Sequence, residues 1–402
     1  MKMLINGTTS SPSKDRIWIS AAAFCLLLGF FLLLWRGTMP LEGVVRAIAS
    51  RDAWAPARSL ASNPRALEKY YALSVGIVLA TSAALILGAI VWARLNEATR
   101  ELIFNATITL ACSSALISYM LRMEYDGPWA PVKVLMNNPS TLPIFGHRLL
   151  LVWMAKGFQK LVPRLSDLRA FYLSQCVAIL FAVYALGKWS ALYIGKALSW
   201  VGQILGVLLI STSFGYYNFY DIAHVFFTTC GLYAIFTRRY WWLVPIVAIG
   251  TLNYEGVLLL IPVAVFVAYD EKPVQRWLPA VAVSLLAYAL VRFAMQWAIP
   301  MPRQVDWRIW SNMMKPFLLG KETAYCVLAL GGWYALALMS FPDCDRRLKR
   351  MALLFPLVVA ITFLFGQLHE PRQFDAFIPV LVAMVLVRVK QRLGWSKLDT
   401  CQ

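Results

Sequence analysis

Long apolar runs follow one another along almost the whole chain, and they constrain its fold more than any other feature. They fall at about 17–35, 71–93, 102–121, 168–187, 197–214, 219–236, 241–252, 256–268, 277–298, 323–341, 351–366 and 373–389. A helix needs roughly 20 apolar residues to cross the hydrocarbon of a bilayer. Composition agrees: 60% of the 402 residues are AVILMFWYC and 14% are charged, against about half and a quarter in a soluble domain. The expectation is an all-α, polytopic integral membrane bundle of about 11–12 membrane segments. Residues 1–16 and 391–402 form tails, and 17–390 form one membrane domain with external loops at 36–70, 122–167 and 299–321. Little chain is left for a soluble catalytic domain, so any chemistry belongs to loops and span ends.

The runs at 241–252 and 256–268 are short for a span. Only Asn253-Tyr254-Glu255-Gly256 interrupts them, so they read as a helical hairpin or as one broken span. Orientation follows from basic residues in short loops. The stretch Asp343-Cys344-Asp345-Arg346-Arg347-Leu348-Lys349-Arg350 is expected on the cytoplasmic side. The tail with Arg388, Lys390, Arg392 and Lys397, the Arg238-Arg239 loop and the loop marked by Lys188 and Lys196 are expected there too. Counting outward places the N-terminus inside as well. The first run ends in FFLLLWRGTMP without a small-residue cleavage site, which reads as an uncleaved span. In residues 144–162, Leu149, Val152, Trp153, Lys156 and Lys160 fall at helical spacing. That pattern predicts an amphipathic helix in the membrane interface with snorkelling lysines.

Lys and Arg total 38 against 20 Asp and Glu, a net charge of +18. Positive-inside bias and contact with lipid headgroups account for this, and so would an anionic substrate such as a lipid phosphate. No basic block is interleaved with aromatics in a soluble segment, which excludes a nucleic-acid partner. The seven cysteines, Cys25, Cys112, Cys176, Cys230, Cys326, Cys344 and Cys401, are scattered singly. Neither disulfide nor zinc spacing is present.

Ionisable residues near membrane depth are costly and therefore functional candidates. Four places qualify, and the derived topology puts all four on the outer side. Glu124 and Asp126 precede the helix-breaking Gly127-Pro128, where a base could stand at headgroup height. A solvated loop would carry the same residues. Asp221 and His224, after Tyr216-Tyr217-Asn218-Phe219-Tyr220, share a helix face. They suit proton relay or metal binding, or an N-cap with a buried polar pair. Glu255 lies between two apolar arms, either as a buried site acid or as the partner of an arginine such as Arg292 or Arg372. His369-Glu370-Pro371-Arg372-Gln373-Phe374-Asp375 forms a tight turn, and its arginine offers a planar fork for phosphate or carboxylate.

Three of these stretches carry a resemblance. The first is Asp126-Gly127-Pro128 followed by Phe145-Gly146-His147-Arg148-Leu149-Leu150. The second is Tyr220-Asp221 opening a span that ends at Arg238-Arg239-Tyr240-Trp241-Trp242, then Thr251-Leu252-Asn253-Tyr254-Glu255. The third is Glu370-Pro371-Arg372 before Phe374. From about 120 to 390 the chain resembles the bacterial C-type glycosyltransferase (GT-C) superfamily, multi-span enzymes that use polyprenyl-phosphate sugars. It differs in having Tyr254 where relatives have arginine and Gly256 where they have threonine. Three runs precede Asp126, two more than the family has there, so Glu42 or Asp52 could fill the place of the acid.

The resemblance implies a transferase in the bacterial cytoplasmic (inner) membrane. A polyprenyl-phosphate-linked sugar would be the donor, a glycan, lipid or protein the acceptor, and membrane lipids the surroundings. Asp126 would be the general base and Glu255 would orient a sugar hydroxyl or hold a basic residue. Arg148 and Arg372 would meet the phosphate, with Glu124, His147, Asp221, His224 and Glu370 lining the substrate site. No cofactor is implied, and a divalent metal is left open. An O-antigen or exopolysaccharide polymerase or ligase is the second reading. A transporter or flippase for a lipid-linked anion is the third, and it would be expected to carry paired repeats that are not evident here. A membrane scaffold without activity is the fourth.

Overall fold

The computed structural model describes residues 97–124, 136–137, 148–213, 220–299, 313, 321–365 and 371–392. The chain divides into two compact units, Met1–Ser114 and Ala115–Gln402. Helix α1 (Glu97–Glu124) carries the boundary between them. The runs expected at 17–35 and 71–93 lie outside the described residues. So do the loops 36–70 and, apart from residues 299, 313 and 321, 299–321.

The second unit is all helical among its described residues. In order it has α2 (Leu150–Leu161), α3 (Asp167–Ile194), α4 (Ser199–Ser213), α5 (Asp221–Phe236), α6 (Leu243–Asn253), α7 (Leu260–Ala268) and α8 (Leu278–Ala298). Then follow α9 (Lys321–Ser340), α10 (Arg346–Ala352), α11 (Leu354–Phe365) and α12 (Ile378–Arg392). Two stretches here, Asp167–Ile194 and Val274–Ala298, are long and apolar enough to cross a membrane. The first is mostly buried among other helices and the second mostly exposed. Shorter apolar helices include Ser199–Ser213, Asp221–Phe236, Tyr240–Asn253 and Glu255–Ala268.

Helix α3 is the axis of the unit and packs against α2, α4, α5 and α12. It begins where Ser166, in extended conformation, accepts a hydrogen bond from the Arg169 amide, which satisfies one orphan donor of the first turn. Asp167 also sits in that turn, where the helix dipole favours a carboxylate. The helix continues seven residues past the apolar run expected to end at 187. Lys188 is therefore helical rather than a loop residue, and Trp189 beyond it is fully buried. The Trp189 indole donates to the Pro379 carbonyl at 2.6 Å, tying α3 to the start of α12.

Helix α4 returns along α3 at close range. A methyl group on Gly202 would stand 1.8 Å from Ser190 Oγ. Gly202 and Gly206 thus make a small-xxx-small stripe that lets two helix backbones approach, as membrane helix pairs do. Helix α5 then runs parallel to α3. Tyr220 at its start belongs to one apolar cluster with Ala170 and Phe171 at the start of α3. At the far end Phe236 stacks edge-on against Trp189, ring centres 5.8 Å apart.

The interruption at 253–256 is a hairpin. Tyr240, before α6, donates its hydroxyl to Glu271, after α7, at 2.9 Å. Both arms therefore start and finish at one end of the bundle, with Tyr254 at the opposite end. Tyr254 is extended, and the chain re-enters through the 3-10 turn Glu255–Leu259 before α7. Helix α2 forms inside the predicted amphipathic stretch but is shorter. Leu151, Val152 and Ala155 face the core, while Trp153, Lys156 and Lys160 are exposed on the other side. Trp153 thus belongs with the lysines rather than with Val152.

Candidate functional site

Four segments that are distant in sequence meet at the Tyr254 end of the bundle. The first contributes Arg148, two residues before α2. Packing of Leu151, Val152 and Ala155 against Ala170, Phe171 and Tyr220 fixes the start of α2 there. The second is Tyr220 with Asp221 and His224 on the first turn of α5. The third is the hairpin tip, Asn253–Gly256. The fourth is Pro371–Phe377, which packs on α4, α5 and α11.

Arg148 is the centre of this meeting. Its Nη2 donates to Glu255 Oε1 at 2.9 Å. The guanidinium carbon lies 4.3 Å from the Tyr254 ring centre and 5.2 Å from that of Tyr220. A weakly hydrated planar cation suits contact with two aromatic rings. The pair is asymmetric: the Arg148 side chain is 9% exposed and that of Glu255 is 43% exposed. The cation is thus sealed in and the carboxylate faces outward. Burial works against the charge on Arg148, but Glu255 beside it prevails and holds the guanidinium above its ordinary range.

Hydrogen bonds hold the tip in place. Asn253 Nδ2 donates to the Tyr220 carbonyl at 2.9 Å, and Asn253 is fully buried. The same carbonyl accepts the His224 amide at 2.9 Å, so Asn253 fills its second lone pair and fixes the end of α6 against the start of α5. The Tyr254 hydroxyl donates to Gln373 Oε1 at 3.2 Å. The His224 ring meets the Tyr254 ring edge-on, 4.7 Å between centres. Gly256 has no room for a side chain: a Cβ there would lie 2.4 Å from Tyr254 Cε1 and 3.2 Å from His224 Cε1.

Asp221 and His224 are both buried on the α5 face, at 5% exposure each. The Nδ1 of His224 and the Oδ1 of Asn253 are buried without a hydrogen-bond partner among the described residues. Buried orphans of this kind are uncommon and are accounted for by function, ordered water or strain. Asp375 is also buried, on the Pro371–Phe377 segment. Among the described residues, no three His, Cys, Asp or Glu side chains gather in a way that could hold a metal ion.

Of the residues singled out from sequence, Arg148, Asp221, His224 and Glu255 come together here. Glu124 closes α1, and Arg372 stands in the Pro371–Phe377 segment beside Gln373. Asp126, His147 and Glu370 lie outside the described residues, as do Glu42 and Asp52. Glu255 pairs with Arg148, and among the described side chains Arg292 forms no ion pair with it. Tyr220, Asn253, Tyr254 and Gln373 were not singled out as candidate site residues, yet they make the site's polar and aromatic contacts. Their signal was position, since three of them adjoin residues that were singled out. Comparisons with protein-family models, with curated proteins and with solved structures returned no match for this chain.

Proposed function

We propose that the chain is a polytopic membrane protein of the bacterial cytoplasmic membrane, and that it is a C-type glycosyltransferase using a polyprenyl-phosphate sugar. Both termini lie on the cytoplasmic side, and the Arg148 end of the bundle faces outward. The membrane reading is supported by α8, whose Leu290, Phe293 and Trp297 are 58%, 73% and 81% exposed. Large apolar side chains along one helix need a non-aqueous neighbour.

One observation carries the catalytic reading. Arg148, Asp221–His224, Glu255 and the Pro371–Phe377 turn lie up to more than 200 residues apart in the chain, yet they gather at one end of one bundle. In the proposed reaction Asp126 removes the proton from an acceptor hydroxyl. The oxygen attacks the anomeric carbon with inversion, and the polyprenyl phosphate leaves with the bonding electron pair. Arg372 receives the phosphate charge. Arg148 takes a different part from the one the resemblance implied. Its charge is committed to Glu255, so the pair fixes the hairpin tip and leaves the outward carboxylate of Glu255 to orient a sugar hydroxyl.

The test is sugar transfer by purified protein in detergent with a panel of polyprenyl-phosphate sugars, comparing wild type with Asp126→Asn and Glu255→Gln. Turnover that is lost in Asp126→Asn and reduced in Glu255→Gln supports the proposal. Turnover retained by Asp126→Asn moves the base to Glu42 or Asp52. Donor uptake into vesicles without transfer would replace the transferase reading with a transporter.

A further inference from the structure

Away from the Arg148 site, the same helical bundle contains a concavity that the proposed chemistry does not use. It lies between α3, α5 and α6 and has a volume of about 550 Å³, within the roughly 300–1,000 Å³ typical of small-molecule sites. Its walls are apolar and aromatic, with Phe181 of α3 packing against Phe226 of α5 at 5.7 Å between ring centres. Two cations, Lys188 and Arg239, line it as well.

Both cations belong to one end. Lys188 precedes Trp189, which packs on Phe236 at the close of α5, and Arg239 follows that close directly. The turn that presents Arg239 is specific. The Arg239 amide donates to the Ala234 carbonyl at 2.8 Å and the Arg238 amide to the Ile235 carbonyl at 3.1 Å, which is the Schellman arrangement. Its left-handed position, φ 60°, is held by Arg238 rather than glycine. Arg238 pairs with Glu271 at 3.3 Å, whereas Arg239 lines the groove. Among the described residues Lys188 and Arg239 form no ion pair, although Lys188 Nζ lies 5.3 Å from the Tyr184 ring centre. Trp242, 61% exposed, stands at the same end. An apolar trough closed by two uncommitted cations and an indole is complementary to one kind of molecule: an apolar chain with an anionic head.

We propose that this groove binds an anionic glycerophospholipid of the surrounding bilayer. One acyl chain lies between α3, α5 and α6, and the phosphodiester sits between Lys188 and Arg239. The inference rests on the membrane reading above but is independent of the transferase reading. It adds a lipid site at the end of the bundle opposite Arg148.

The test is native mass spectrometry of the full chain extracted in detergent and titrated with phosphatidylglycerol or phosphatidylcholine of matched chains. Wild type should retain phosphatidylglycerol with a preference of roughly tenfold or more, as expected of two basic side chains near an anionic lipid. The double variant Lys188→Gln, Arg239→Gln should lose that preference. Lys272→Gln with Arg276→Gln removes the same charge from exposed positions outside the groove and should keep it. Ile246→Trp, which fills the trough and leaves both cations, should reduce bound lipid of either kind. A preference that survives the Lys188/Arg239 change, or that falls equally in the control pair, overturns the proposal. So does equal binding of both lipids by wild type, or displacement of phosphatidylglycerol by polyprenyl phosphate at equimolar amounts. Protein that stays monodisperse without detergent would overturn the membrane reading itself, and that outcome is distinct from the others.

Discussion

At the Arg148 end of the bundle one buried arginine, in contact with two tyrosine rings, meets one half-exposed carboxylate. At the Glu271 end five arginines share three carboxylates. Glu271 takes Arg238 and Arg347, Asp270 takes Arg346 and Arg350, and Asp343 takes Arg388. None of those five arginine side chains is less than 19% exposed. The crowded end is the more redundant. A carboxylate with two arginines keeps one if the other is lost, and water and salt screen what remains. Among the described residues, Glu255 at the sparse end has no second arginine in an ion pair. Charge that is sparse and whose cation is buried marks a place kept for geometry, whereas charge that is abundant and whose cations reach solvent marks an anchoring surface.

Substitutions can break or sharpen this contrast, and denaturation in detergent micelles would measure them. The largest loss is expected for Arg148→Met. It strands Glu255 and removes the cation from the Tyr220 and Tyr254 rings, at a cost of about 2–4 kcal/mol, somewhat below the figure for a fully buried pair because Glu255 is half exposed. Adding Glu255→Gln to that variant should recover part of the loss. A loss smaller than that of any single change at the other end would break the comparison.

Next is Asn253→Leu, which leaves the Tyr220 carbonyl with the His224 amide alone and severs the buried link between α5 and α6, at a cost of about 1–2 kcal/mol. Glu271→Gln follows. It weakens the contacts of Arg238, Arg347 and Tyr240 together, by about 1–2 kcal/mol at low ionic strength. That loss should shrink as salt is raised, whereas the Arg148→Met loss should hardly change. The smallest effect belongs to Arg346→Gln, within about 0.5 kcal/mol, since Arg346 is 77% exposed and Asp270 retains Arg350.

How legible these features were in the sequence depended on distance along the chain. Local signals read well. The break at Asn253–Gly256, the polar start of α5 and the ends of most apolar runs all correspond to helix boundaries. Whether that break was a hairpin or a broken span was not legible, because Tyr240 and Glu271 stand 31 positions apart and only their contact decides it. The residues around Glu255 point to Arg292 or Arg372 as its arginine, whereas the pair described is with Arg148, 107 positions away. Asp343–Arg350 read as a topology signal, and three of its arginines also bind Asp270 and Glu271. Apolar periodicity stopped α3 at 187 because Lys188 looked like a loop residue. A lysine in contact with the Tyr184 ring at the edge of a groove does not end a helix. Gly202 and Gly206 passed unnoticed, since two glycines in an apolar run acquire meaning only from what packs against them.

The short hairpin has a consequence for depth. Each arm, Tyr240–Asn253 or Glu255–Ala268, reaches only about 20 Å at the helical rise, whereas the hydrocarbon of a bilayer is about 30 Å thick. If the Glu271 end rests at one surface, the Tyr254 tip stops about 10 Å short of the other. A phosphate-bearing substrate must then descend to the Glu255 carboxylate, or the lipid layer must thin to meet it. Bilayer thickness thereby becomes a variable of the proposed reaction, and shorter-chain lipids should favour turnover even though no residue has changed.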